Sequence, residues 1–117
     1  MFKLIILSLC LGLSNLAFSK SLALSFDDGL DPSTNPQAQQ INNDLLDTLK
    51  KNNIQAIVFP SISKIGGADG FKIVSSWGKQ GHHIGNHGNL HLNLAKDSVS
   101  LSDYLQDVQQ GDKAFSS

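Results

Sequence analysis

The stretch Ser25-Phe26-Asp27-Asp28-Gly29 decides the fold prediction, because it ends an apolar run with two carboxylates and a glycine. The run itself, residues 22–26, has the length and composition of a short buried strand. A glycine directly after the acidic pair gives the backbone freedom to turn. We therefore predict that Asp27 and Asp28 lie at the carboxyl end of a first strand.

A second stretch, residues 85–91, carries two histidines four positions apart, His87 and His91. On one helical turn both imidazoles would project to the same side. Two imidazoles and one carboxylate suit a divalent metal ion that keeps an open coordination position. The other carboxylate of the acidic pair is then free to act as a base on water. These residue types together indicate a hydrolytic site.

Strand and helix patterns alternate along the rest of the chain. After the first strand we predict a loop over 30–37, a helix over 38–51 and a strand over 54–59 that Pro60 stops. A glycine-marked loop over 66–70 and a helix that begins at Phe71 and ends near Gly78 and Gly81 come next. The last predicted elements are a strand over 83–85 and a helix from Ser100 with an apolar stripe of Tyr104, Leu105 and Val108. This order favours an α/β fold with parallel strands and right-handed helical crossovers. Parallel strands end on one side of a sheet, so the acidic pair and the histidine pair are expected to converge.

The two motifs resemble those of a known family. Residues 25–29 resemble the (T/S)-F-D-D-G first motif of the polysaccharide deacetylases, also called the NodB homology or carbohydrate esterase 4 group. Residues 81–94, GHHIGNHGNLHLNL, resemble its second motif, G-H-x-I-G-N-H-(S/T)-x-x-H-x-x-L. Gly88 departs from the pattern, because the family usually has Ser or Thr there. The loss of that hydroxyl removes no ligand, but it leads us to expect a looser loop.

The resemblance implies a fold, a reaction and a role for each motif residue. The fold would be the N-terminal half of a distorted (β/α) barrel, with residues 20–117 forming a partial NodB domain. Asp28, His87 and His91 would bind Zn²⁺ or a similar divalent metal ion. Asp27 would act as the catalytic base that takes a proton from the attacking water. The substrate would be an N-acetylated (or O-acetylated) polysaccharide, deacetylated by hydrolysis of its amide (or ester) bond.

Part of the family pattern has no counterpart in the sequence. The family's third motif, R-x-P-(Y/F), supplies an arginine near the base and an N–H for the oxyanion, and later motifs supply a histidine general acid. The sequence contains no arginine. We therefore expect a truncated deacetylase, and the alternative is a non-catalytic remnant that at most binds a divalent metal.

Several residues close to the two motifs are expected to stabilise the fold rather than to bind metal. We expect His82 and His83 to be structural or solvent-facing, and Phe71 and Trp77 to belong to the core. Asn86 and Asn93 are expected to stabilise the loop that carries the two histidines, a task on which metal affinity depends.

The N-terminus and the charge balance indicate where the protein acts. Residues 1–19 combine a positive start, an apolar segment over 4–16 and small residues at the cleavage positions 17 and 19, which predicts a secretory signal peptide. The alternatives are an uncleaved anchor, or a lipoprotein modified at Cys10, the only cysteine. The apolar run is short for a membrane span, so we expect an exported protein without a stable span after cleavage. A net charge of −1 with scattered lysines argues against nucleic-acid binding.

Overall fold

The computed structural model describes residues 21–116, in which three parallel strands form one sheet. The strands are β1 (Leu24–Asp28), β2 (Ala56–Pro60) and β3 (His83–Ile84), in the order β1-β2-β3. Phe26 lies opposite Val58, and Asp28 opposite Pro60. Helices lie between the strands in the sequence, so the predicted α/β fold with helical crossovers is confirmed.

Four helices occur among the described residues: α1 (Ala38–Lys51), α2 (Ile62–Ile65), α3 (Ala68–Lys79) and α4 (Leu101–Phe115). The predicted bounds of α1 are confirmed, and the short helix α2 was not predicted. The expected loop at Gly70 is wrong, because Gly70 lies inside the first turn of α3. A Cβ at Gly70 would overlap the carbonyl oxygen of Ile65, so glycine allows α2 and α3 to approach closely.

Both longer strands begin and end later than predicted. β1 includes the whole acidic pair, and β2 includes Pro60 rather than stopping before it. Pro60 has no N–H to donate, but its carbonyl accepts a hydrogen bond from the backbone N–H of His87 at 3.0 Å. Pairing at the end of β2 therefore continues through the carbonyl oxygen.

The core lies between α1, α3 and one face of the sheet. Its buried apolar side chains are those of Leu46, Leu49, Ala56, Val58 and Trp77. Trp77 also contacts Phe26 with ring centroids 5.3 Å apart, so its predicted place in the core is confirmed. Phe71 is only half-buried and lies against Phe115.

His82 is a structural residue, as predicted. It is buried, its Nδ1 accepts a hydrogen bond from the N–H of Ala56 at 3.3 Å, and its ring meets Trp77 edge-on. His83 is exposed to solvent.

Helix α4 begins with a capping box. The Ser100 hydroxyl accepts a hydrogen bond from the Asp103 N–H, and the Asp103 carboxylate accepts one from the Ser100 N–H. The hydrogen bonds from Ser100 hold the pKa of Asp103 below its ordinary value. The predicted helix start at Ser100 is confirmed.

The predicted signal peptide, residues 1–19, lies outside the described residues. Within residues 21–116, no helix has the length and apolar character needed to cross a membrane.

A buried polar network in the core provides a test of the fold. Asn42 accepts a hydrogen bond from the Trp77 indole N–H at 2.8 Å and donates one to the Ser76 hydroxyl at 2.9 Å. Asn42→Ala leaves the buried indole N–H without this acceptor, so we expect a loss of about 1–3 kcal/mol in the free energy of unfolding. Urea denaturation measures this loss. Asn43→Ala, an exposed change on the same helix, is the control and should alter stability by less than about 0.5 kcal/mol.

Candidate metal centre

The candidate ligands come from two segments that follow strand ends. Asp28 is the last residue of β1, and its backbone is left-handed, with φ of 72°. His87 and His91 lie in the irregular segment after β3, residues 85–91, which we call the ligand loop. The expectation that the two histidines share a helical turn is wrong. The loop brings the two rings together without a helix, and His91 has a φ of 59°.

Three ligand atoms of these residues converge. The Nε2 atoms of His87 and His91 are 3.0 Å apart, and they lie 3.6 Å and 3.1 Å from Asp28 Oδ1. A tetrahedral ion with ligands at about 2.1 Å separates its ligand atoms by about 3.4 Å. The three separations therefore match three corners of such a coordination shell.

The burial of Asp28 supports the same conclusion. Its side chain is 47% exposed as a whole, yet Oδ1 is buried and no described group makes a hydrogen bond to it. A buried carboxylate oxygen without a donor is unfavourable unless a cation satisfies it. These three residues thus fit a divalent ion with nitrogen and oxygen ligands.

The end of β2 and the start of α2, residues 60–63, position both ligand segments through backbone hydrogen bonds. The Ser61 N–H donates to the Asp28 carbonyl, and the His87 N–H donates to the Pro60 carbonyl, both at 3.0 Å. The ligand loop is also held by α2 residues, since the Ile62 and Ser63 N–H groups donate to its carbonyls at residues 88 and 89. The end of β1 and the ligand loop therefore have a common support.

The prediction that Asn86 stabilises the loop is confirmed. Its Oδ1 accepts a hydrogen bond from the Gly88 N–H, and its Nδ2 donates to the Val108 carbonyl in α4, both at 2.8 Å. Asn93 acts after the second histidine, where its Oδ1 accepts from the Ala95 N–H at 2.9 Å and closes a local turn.

The expected looser loop at Gly88 is not what the structure shows. Gly88 has a φ of 83°, which L side chains rarely adopt, and a Cβ there would overlap Asp107 Oδ2. The space next to Gly88 is therefore filled by a carboxylate from α4.

Asp107 was missed by the sequence analysis, and the predicted stripe of α4 was wrong. The buried residues of α4 are Asp107 and Gly111, whereas Leu105 is 51% exposed. The available signal was the helical spacing of Asp107, which lies three positions after Tyr104 and four before Gly111. A pattern of apolar residues alone does not include an aspartate, so this signal did not contribute to the prediction.

Asp27 precedes Asp28 in β1, and its side chain is exposed. Its carbonyl accepts a hydrogen bond from the Gly29 N–H at 2.9 Å, which closes the turn after the strand. The base role assigned to Asp27 remains a prediction.

Comparisons with known proteins agree with this fold and site. The structure resembles that of the peptidoglycan deacetylase PdaC from Bacillus subtilis, with a TM-score of 0.59 and 27% sequence identity. The match covers 81% of this chain and 44% of that one, so the chain corresponds to less than half of the solved protein and to a partial (β/α) barrel. A search of curated proteins finds no significant match. Residues 17–117 match the polysaccharide deacetylase family, and the chain therefore belongs to that family.

Proposed function

We propose that the protein is a metal-dependent hydrolase that removes acetyl groups from an acetylated polysaccharide. The observation that carries the proposal is the convergence of Asp28 Oδ1 with the Nε2 atoms of His87 and His91, at separations of 3.0 to 3.6 Å. Family membership and the likeness to a peptidoglycan deacetylase support the substrate class.

Asp28, His87 and His91 would hold the ion, and the mixed nitrogen and oxygen ligand set suits Zn²⁺. A divalent ion bound there would polarise the acetamide carbonyl and make a water molecule more acidic. Asp27, exposed at the end of the same strand, accepts the proton of the attacking water. The neighbouring positions of Asp27 and Asp28 thus separate a base from a ligand.

Export follows from the same proposal. Polysaccharides of the cell envelope lie outside the cytoplasm, so we infer that the protein is exported, with residues 1–19 as its signal peptide.

A non-catalytic metal-binding protein is the second candidate. Its support is the match to only 44% of the solved deacetylase chain, because the described residues carry the ligand set while the remaining groups for acyl hydrolysis are unassigned. The two candidates agree on metal binding and differ in turnover.

Metal binding is tested by titrating the chain with Zn²⁺ in a calorimeter. His87→Ala and His91→Ala each remove a ligand, so each should weaken Zn²⁺ binding by more than the roughly 10- to 100-fold typical of losing a supporting group. His83→Ala removes an exposed histidine next to the loop and should leave the affinity unchanged. Equal affinity for the wild type and both ligand variants would contradict the metal site.

Turnover is tested by acetate release from an acetylated chitooligosaccharide or from peptidoglycan. Asp27→Asn should lower the rate by about 100- to 10,000-fold, as expected for the loss of a general base, while Zn²⁺ affinity stays within a few-fold. Undiminished acetate release by this variant would show that Asp27 is not the base. Tight Zn²⁺ binding by a wild-type chain that releases no acetate would favour the non-catalytic candidate.

A further inference from the structure

Asp107 is a buried carboxylate that the proposed reaction does not use. It lies in the middle of α4 and is 4% exposed. Its sequence neighbours, Gln106 and Val108, are both exposed to solvent. Buried aspartates are rare unless they are paired or hydrogen-bonded. The contacts of this carboxylate therefore indicate what it is for.

Both oxygens of Asp107 are directed at the ligand loop. Oδ1 accepts a hydrogen bond from the Leu90 N–H at 2.5 Å, and Oδ2 lies where a side chain on Gly88 would otherwise be. The carboxylate thus spans the residues that separate His87 from His91. A hydrogen bond to an ionised acceptor is stronger than a neutral one.

The N–H group that Asp107 binds belongs to Leu90, the residue that precedes a strained candidate ligand. His91 directly follows Leu90 and has a φ of 59°, a conformation that persists in a non-glycine residue only when its surroundings impose it. The hydrogen bond fixes the peptide group between Asn89 and Leu90, one residue before the left-handed backbone of His91.

Other α4 residues contact the loop through neutral acceptors, whose hydrogen bonds are weaker than those to an ionised carboxylate. The Asn86 amide donates to the Val108 carbonyl, and the Asn89 amide donates to the Gln110 side chain, which is exposed. Among the α4 residues that contact the loop in the described structure, only Asp107 is charged and fully buried.

We propose that Asp107 is a positioning residue that holds the His87–His91 pair in metal-binding geometry, and that its carboxylate replaces a side chain at position 88. The inference rests on the proposed metal site and names the group that preorganises it. Loss of the Asp107 carboxylate should therefore make the metal-free loop less ordered and should also weaken metal binding.

The first experiment needs no metal and measures hydrogen exchange at the Leu90 amide of the full chain. Asp107→Ala removes the acceptor, so exchange at Leu90 should be at least about 10-fold faster. Asp112→Ala, an exposed aspartate on the same helix, should leave it unchanged. Unchanged exchange at Leu90 in Asp107→Ala would overturn the proposal, whatever the protein does with metal.

The second experiment measures Zn²⁺ affinity and the visible spectrum of the Co²⁺-substituted chain, well below the unfolding temperature. Asp107→Ala should weaken Zn²⁺ binding by about 10- to 100-fold and alter the Co²⁺ bands. Asp107→Asn, which keeps an acceptor oxygen, should be intermediate, and Asp112→Ala should match the wild type. Faster Leu90 exchange together with wild-type affinity and spectrum would reduce Asp107 to a structural role and overturn the proposal.

Two further outcomes are decisive. If Asp107→Ala does not fold by circular dichroism, Asp107→Asn takes its place, and wild-type values for both exchange and affinity would overturn the inference. If the wild type itself binds no Zn²⁺, the proposed function fails, while Leu90 exchange still shows whether Asp107 orders the loop.

Discussion

A single peptide group between Pro60 and Ser61 joins the two halves of the candidate metal centre. Its carbonyl accepts from the His87 N–H, and its N–H donates to the Asp28 carbonyl, each at 3.0 Å. Because a trans peptide is planar and rigid, its C=O and N–H point in opposite directions. The end of β1 and the ligand loop are therefore held on either side of one stiff unit, and the separation of Asp28 from His87 depends on it.

The three converging atoms make a site that favours a cation. Asp28 Oδ1 is buried without a hydrogen bond, and two imidazole nitrogens lie within 3.6 Å of it. When one Nε2–H donates to the Nε2 of the other ring, that proton is not available to Asp28 Oδ1, which is left without a donor. A divalent cation would satisfy all three groups at once.

Two of the three candidate ligands have left-handed backbones, which costs about 1–2 kcal/mol for each non-glycine residue. The Ser61 N–H donates to the carbonyl of Asp28, and Asp107 accepts from the N–H of Leu90, the residue before His91. A hydrogen bond to a charged group contributes about 1.5–3 kcal/mol. The hydrogen bond to Asp107 is thus similar in size to the backbone strain of His91, and its donor belongs to the residue directly before His91.

Sequence periodicity and strand-end rules predicted the sheet, α1 and the convergence of Asp28 with the histidine pair. These features depend on local alternation and on the common direction of parallel strands. The helical turn proposed for the two histidines was wrong, because a four-residue spacing does not distinguish a helix from a loop that folds back. The apolar stripe of α4 was wrong because its inner face packs on backbone and polar groups of the ligand loop.

The expectation for Gly88 failed for a more specific reason. A glycine in place of a hydroxyl residue suggests a looser loop only if the vacated space stays empty. Here the space holds the carboxylate of Asp107, nineteen positions later in the sequence, which also anchors Leu90. Neither residue is informative alone, since Gly88 suggests a defect and Asp107 suggests a solvated helix face. Gly88 and Asp107 therefore stabilise the ligand loop together, since the glycine leaves the space that the carboxylate fills. This relation is visible only once α4 is seen packed on the loop.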